Sequence, residues 1–467
     1  MVTRAISPSR VVWIIGCGQI IAILIVAALF IPAFYRHDVA TVYQLIDHRF
    51  GRDAARACSW AFLLGRVLAN GSRLFIAAIA VSMILFGNTD DTNIAIGIAI
   101  MAATGLLYTF FGGIRAVIWT DVIQTIVFVG AALVAIAVLL HRIPAPIAEI
   151  VRALAAEPVG SAGGSKLTVI SLSTDPARTF TLWTALICFT IFNLAAYGTD
   201  HDLAQRTLTC RSAAAGSRSA ITAIFVAMPI TLLFMIVGLL LFVLYRRPDL
   251  MASAAPTSTP AAARDVFLHF IIHELPPGVT GIMIAGLLAA ALSTLTSSLN
   301  AMASSFVNDT YRHLRPGRDD RHYLLVGRGA MIVWALAIAA VAILSITWYR
   351  SSATIAGQTL LDFALTVMTF AYAGLAAVFV AAIFTRRGSG PSAIAALVVG
   401  AGVVLAGQPA ILKQLTDRSI AWPWIFSIAF AAALITCLLG RTQPARPAPA
   451  RSPSQPASPA AANDPSA

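Results

Sequence analysis

Residues 281–300 read Gly281-Ile-Met-Ile-Ala-Gly-Leu-Leu-Ala-Ala290-Ala-Leu-Ser293-Thr294-Leu-Thr296-Ser297-Ser298-Leu-Asn300. The surrounding run, 279–307, carries no charge, and ~20 apolar residues suffice to cross the hydrocarbon core of a bilayer. A membrane helix is therefore the first reading. Its unusual feature is the block of hydroxyls. Ser and Thr have only middling helix propensity, but membrane helices use them where backbones pack closely or a buried ligand needs oxygen. Ala290, Ser293 and Thr294 fall at i, i+3 and i+4 and share one helix face. Two hydroxyls plus a carbonyl freed by local distortion would suit a hard, oxygen-seeking cation. A face of small residues that only packs is the alternative, and spacing alone leaves both open.

The same kind of run recurs along the chain. Apolar segments appear at 11–34, 57–86, 93–111, 116–140, 181–205, 219–245, 279–307, 324–346, 356–384, 391–407 and 422–440. The chain is 58% hydrophobic and 11% charged, against roughly 25% charged residues in a soluble domain. The fold class expected is all-α: a polytopic membrane protein of about eleven crossings, because only helices satisfy every backbone group within a segment. The net charge of +12 is not a nucleic-acid signature, because the basic residues sit mostly in loops. With the N-terminus outside, the inner segments hold 17 Arg and the short outer segments five basic residues, which sets the orientation.

Five scattered cysteines lack metal or redox spacing and read as small packing residues. No cleavable leader follows the first run. The expected location is the inner (cytoplasmic) membrane, multi-pass. Residues 1–440 form one transmembrane domain. Residues 441–467, rich in Pro, Ala and Ser, form a cytoplasmic tail that cannot bury a core and is expected to be disordered. Gly112-Gly113 reads as a tight turn between two crossings, and 264–274 as an interfacial helix stopped by Pro276-Pro277. No phosphate loop, dinucleotide fingerprint, metal-protease pattern or nucleophile elbow is visible, so an enzyme is not expected. Nor is any cofactor, nucleic acid or protein partner.

Ionisable groups inside crossings are costly and are functional candidates by default. Asp121 has Thr120 beside it and Gln124 and Thr125 at i+3 and i+4, a face that could pass a cation from oxygen to oxygen. It could instead pair with a loop Arg, or titrate. Asp200, His201 and Asp202 follow Tyr197-Gly198-Thr199. Gly198 could let that helix unwind and free carbonyls for a ligand, or the acids could form an interface cluster neutralised by Gln205-Arg206. Arg66 and Arg73 lie seven apart on one face, placed to snorkel, to pair with a carboxylate or to hold an anionic solute. Asp362, near an outer helix end, reads as solvated.

Five stretches in order resemble the sodium/solute symporter family, which includes the sodium-coupled sugar, proline and pantothenate carriers. They are Thr41-Val-Tyr43 with His48-Arg49-Phe50-Gly51; Gly112-Gly113-Ile-Arg-Ala-Val-Ile-Trp119-Thr120-Asp121-Val-Ile-Gln124; Tyr197-Gly-Thr-Asp200 through Gln205-Arg206; Leu292-Ser293-Thr294 with Asn308-Asp309-Thr-Tyr311; and Phe370-Ala-Tyr372-Ala-Gly374 with Thr385-Arg-Arg387. The resemblance implies the inverted-repeat fold of two five-helix halves and sodium-coupled uptake of a small organic solute by alternating access. It also implies that the Ala290 carbonyl, Ser293 and Thr294 hold the sodium ion, with Asp121 and Gln124 on its inward path. Asn193 matches a solute-contacting position of the sugar carriers. Where those carriers place a gating aromatic the chain has Ala196, with Tyr197 next, which argues against a sugar. Asn193, Tyr197 and Arg73 are the candidate solute residues. Sodium, as coupling ion, the solute and the bilayer are the partners implied.

The first crossing resembles the family's second core helix, so the resemblance implies that the first is missing. It follows that the 467-residue chain transports poorly unless an upstream segment restores it. A transporter-like sensor and an inactive remnant are the rival readings.

Overall fold

The computed structural model describes residues 8–157, 167, 170–251, 266–356, 360–408, 411–412 and 420–441. The proposed tail, apart from its first residue, lies outside the described residues. Among those described, regular secondary structure is helical throughout. In chain order, α1 (Pro8–Ile25) passes through a π-helical turn (Val26–Phe30) into α2 (Ile31–Arg36). α3 (Tyr43–Phe50) is the short inner-loop helix, and Gly51, at a φ of 91° that only glycine adopts freely, turns the chain into α4 (Arg52–Phe86). α5 (Asp91–Arg142) and α6 (Ile147–Ala156) follow. A π segment (Thr184–Phe189) leads into α7 (Thr190–Thr199), then come α8 (His201–Leu208), α9 (Ala213–Arg246) and α10 (Val266–His273). α11 (Pro277–Ser305) ends in a π turn (Phe306–Tyr311) and α12 (Arg312–Leu314). α13 (Asp320–Ala356), α14 (Leu360–Phe384), α15 (Gly390–Ala406) and α16 (Trp422–Leu438) complete the chain.

Among the described residues, eight stretches are long and apolar enough to cross a membrane, and Thr184–Thr199, Gly390–Ala406 and Trp422–Leu438 are shorter apolar helices. Together they fall on the eleven runs read from the sequence. Their outer faces confirm the solvent. Phe111, Trp119 and Ile126 on α5 are 79%, 65% and 67% exposed. In water such a contiguous apolar face would aggregate; against lipid tails it is at home.

α5 departs from the expected tight turn. Helical hydrogen bonding runs from Asp91 to Arg142 without interruption. Yet the Tyr108 hydroxyl donates to the Thr120 hydroxyl. Twelve residues of straight helix would hold these side chains ~18 Å apart, so the helix bends sharply between them. The two limbs embrace α11: Leu295 packs on Gly105, and Ala131 and Phe128 pack on Gly286. The bend thus replaces a loop and brings Asp121 to α11.

Elsewhere, small residues set the packing distance. A Cβ on Gly374 of α14 would lie 2.8 Å from the Leu397 Cα of α15, and one on Gly400 would lie 2.8 Å from the Gly374 nitrogen. These backbones touch, as glycine permits between membrane helices. Outside the crossings, α6 buries Ile150, Ala153 and Leu154, and α10 buries Phe270 and Ile271, in an outer cluster with the end of α9. α10 is the helix expected at 264–274; α6 lies between the apolar runs 116–140 and 181–205.

Candidate functional site

The break after α7 organises the centre of the molecule. The sequence suggested unwinding at Gly198. Instead Gly198 stays helical, packed so closely on Phe30 that a Cβ would sit 2.8 Å from its ring. The helix breaks at Asp200, whose extended backbone (φ −86°, ψ 115°) and side chain, accepting from the Asp202 amide, cap α8. Asp200 and Asp202 are then buried rather than placed at an interface.

Their counter-ion is Arg66 of α4. It grips Asp200 with two donors, Nη2 to Oδ2 at 2.7 Å and Nε to Oδ1 at 3.1 Å. Nη2 also lies 3.1 Å from Asp202 Oδ2. This planar fork matches a carboxylate, as Arg pairs do when buried. The remaining oxygen sites are filled. Tyr372 of α14 donates to Asp200. From α11, Ser298 donates to Asp202 at 2.9 Å, and Ser297 to its other oxygen. The reading in which Gln205-Arg206 neutralise these acids is corrected in that Arg66 is their direct counter-ion. Arg206 reaches Asp202 through Ser297, donating to Ser297 Oγ at 2.8 Å and to Asp121 Oδ2 at 2.9 Å.

Asp121 takes up one of its sequence readings, the pairing with an Arg. It pairs with Arg206, and its other oxygen accepts from the Ser293 hydroxyl. One polar chain thus runs Tyr372, Asp200, Arg66, Asp202, Ser297, Arg206, Asp121, Ser293, spanning α14, α4, α8, α11 and α5. Sequence reasoning flagged the hydroxyl block but not what Ser297 and Ser298 do, nor Tyr372; their partners lie 95, 96 and 172 residues away.

The other candidates divide. Ala290 and Thr294 are half-buried on α11, and the Thr294 hydroxyl makes no hydrogen bond among the described residues. α11 is regular from Pro277 to Ser305; the expected distortion lies beyond it, at Phe306–Tyr311. The Gln124 Oε1 is buried without a partner. Asn193 turns back on its own helix, donating to the Phe189 carbonyl at 2.7 Å, while Tyr197 accepts from Gln19 of α1. Among the described residues Arg73 reaches only the Met368 sulfur, at 3.1 Å. Asp362 accepts from the Trp422 indole at 3.3 Å rather than facing water alone.

A second polar knot went unread in the sequence. Asp309, 6% exposed in the π turn after α11, accepts from Thr41 and Ser305, and Ser305 meets Ser59 at 3.0 Å. Tyr43 donates to the Thr199 carbonyl at 3.0 Å. Through these bonds the inner loop is tied to α4, α7 and the end of α11. Asp309 and Thr41 each stand in a stretch that carries the family resemblance, but they lie 268 residues apart and nothing local shows that they meet.

Comparison with known proteins gives one consistent result. The profile of the sodium:solute symporter family matches residues 8–400. The human sodium/iodide cotransporter is 27% identical over 83% of this chain and 56% of its own length. The rabbit (Oryctolagus cuniculus) sodium-dependent multivitamin transporter is 26% identical over 69% of this chain and 49% of its own. The sodium/sialic acid symporter NanT of Aliivibrio fischeri is 26% identical over 84% of this chain and 74% of its own. The chain thus spans about half the length of the first two relatives. The solved outward-open, substrate-bound structure of a Na+-coupled sialic acid symporter superposes with a TM-score of 0.74 at 23% identity, covering 94% of this chain and 87% of that one. The fold is therefore that transporter fold.

Proposed function

The chain belongs to the sodium:solute symporter family, and from that premise we propose that it carries a small organic solute through the cytoplasmic membrane by alternating access, driven by sodium. The relatives described above are sodium-coupled transporters rather than enzymes. The drive is the ion's electrochemical fall, ~2.3 kcal/mol per charge per 100 mV.

The observation that carries this reading is the donor set on α11. Ser293 and Thr294 stand side by side, one hydroxyl spent on a carboxylate of α5 and the other without a partner among the described residues. A hard cation between Ala290, Ser293 and Thr294 would take up the free hydroxyl oxygen and a lone pair of Ser293, which can still donate to Asp121. Asp121 lowers the electrostatic cost of the charge and offers, with Gln124, the next oxygens inward. Gln124 suits that role because its buried Oε1 has no partner. Asn193 and Tyr197 would flank the solute from α7. Each is now held by a bond, to Phe189 or Gln19, that a solute could exchange.

The test is sodium-22 binding to the purified protein in lipid nanodiscs. Replacing Ser293 and Thr294 together with Ala removes two oxygens. Each is worth about 1–3 kcal/mol when left unmatched, so binding is expected to weaken at least ~10-fold with the fold intact. Unchanged sodium binding in the double variant sinks the assignment.

A further inference from the structure

Asp200, Asp202 and Asp121 each answer to an arginine. Asp309, at the inner end of α11, does not. It is 6% exposed. Among the described residues it makes no ion pair, and its bonds come from hydroxyls alone: Thr41 on one carboxyl oxygen and Ser305, at 2.7 Å, on the other. The cations nearby are turned elsewhere. Arg312 of α12 lies 3.8 Å from Asp320 of α13 and over the Tyr323 ring. His322 of α13 meets the Tyr311 hydroxyl at 2.9 Å. Arg52 and Arg56 of α4, with Asp47 of α3, surround His313. On α3, Tyr43 donates to the Thr199 carbonyl, and Asp47 adds a further negative charge within reach of Asp309. A carboxylate removed from water with no counter-ion is costly enough that it is neutralised instead.

We propose that Asp309 is a proton-binding site: a neutral carboxylic acid while the inner side is closed, which gives up its proton when the inner side opens. The hydroxyls accommodate that proton. A hydroxyl both donates and accepts, so the acid O–H on Oδ2 donates to Ser305, which passes its own hydrogen to Ser59, 3.0 Å away. Oδ1 goes on accepting from Thr41. Thr41 stands in the loop between α2 and α3, Ser59 on α4 and Asp309 in the turn after α11. Parting these three elements admits water to the carboxyl. The O–H bond then breaks, the proton passes to water on the inner side, and the carboxylate keeps a charge that water solvates. Closure reverses each step. Proton binding and closure are therefore linked, and the linkage is reciprocal: acid on the inner side favours the closed form, base the open one. The opening rests on the alternating-access reading above; the proton on Asp309 does not.

The first measurement is the infrared difference spectrum, at neutral pH in nanodiscs, between protein carrying carbon-13 in its aspartate carboxyl groups and unlabelled protein. The expected result is a protonated-carboxyl stretch that Asp309→Asn removes and that Ser305→Ala, which takes away one hydrogen bond, shifts to higher frequency. Should Asp309→Asn fail to fold, the shift in Ser305→Ala decides. The second measurement is alkylation of Cys58, buried on α4 beside Ser59, by N-ethylmaleimide, read by peptide mass spectrometry. Dividing the parent rate by that of Asp309→Asn at each pH cancels the titration of the thiol itself. One linked proton changes an equilibrium at most ~10-fold per pH unit, so the ratio should rise about 3- to 10-fold from mildly acid to mildly alkaline buffer. A spectrum without the stretch, or with one that neither substitution alters, overturns the proposal, and so does a ratio that stays flat or falls. Sodium-22 binding is read on the same samples. Its absence with the stretch present counts against the symport reading and leaves the proton in place; sodium binding without the stretch counts against the proton only.

Discussion

Arg66 and Arg73 occupy one face of one helix, two turns apart, and live under opposite conditions. Arg66 is wrapped by two carboxylates that are themselves hydroxyl-bonded from two helices, α14 and α11. Arg73 meets a sulfur atom. Both pay the desolvation cost of a charge within a crossing. Only one recovers it inside the protein. The contrast separates what ties the helices to one another from what the bundle merely contains. A buried cation that is fully matched holds the bundle together; one left with a weak, movable acceptor holds far less.

The sharpest way to break the contrast is to remove each guanidinium in turn. Arg66→Met leaves Asp200 and Asp202 facing each other without a counter-ion. Stripping one partner from a buried ion pair costs about 3–5 kcal/mol, so this variant is expected to lose most of its folded yield in lipid and to melt far below the parent. Arg73→Met strips no partner and should melt at or slightly above the parent temperature. Equal damage from the two substitutions would erase the distinction between them.

The sequence showed both arginines but not which was which. Crossings are legible because twenty apolar residues have few other uses, and the eleven runs recur as helices. Ion pairing is not, because Arg66 finds Asp200 134 residues away, and nothing local encodes that meeting. Local rules also misled where two signals competed. At Gly198 the residue's freedom suggested unwinding, yet tight packing on Phe30 uses the missing side chain, and the capping tendency of Asp200 sets the break two residues later. At Gly112-Gly113 a turn was legible in position. Its realisation as a bent continuous helix, shown by Tyr108 meeting Thr120, was not. In the hydroxyl block, periodicity placed Ser293 on one face, but only the bend in α5 brings Asp121 to it.

A smaller perturbation sharpens the comparison within the matched region. Tyr372→Phe removes one of the hydrogen bonds to Asp200 and leaves Arg66 in place. A bond to a buried charged group contributes about 1.5–3 kcal/mol, so the variant is expected to fold but to melt lower than the parent by several degrees. It should also resist the addition of Arg66→Met less than additively, because both act on one carboxylate. Strict additivity in that double-mutant cycle would show that the network is a set of independent contacts.

The smallest expected effect lies outside the membrane, where solvent can take the part that counter-ions play at the centre. On α10 the His269 and His273 rings stand 4.4 Å apart, with the Tyr245 hydroxyl 3.1 Å from His269 Nδ1. Partial burial, and next the neighbouring His273, hold His269 below its usual titration range, while Glu274 opposes them. The folded protein therefore resists a proton that the unfolded chain accepts near its ordinary pKa of about 6.5. Stability is complete above that pH and falls as pH drops through it toward the lower folded value. The site is well hydrated, so the effect is small. Between pH 7.5 and 5.5 the parent should lose roughly 1 °C more in melting temperature than His269→Gln, which keeps a polar group for Tyr245 but cannot take the proton. An identical slope in both proteins would mean that His269 titrates as it does in the unfolded chain. The packing of α10 would then owe nothing to its neutral form, and the contrast with the centre, where charges are answered by the protein itself, would be complete.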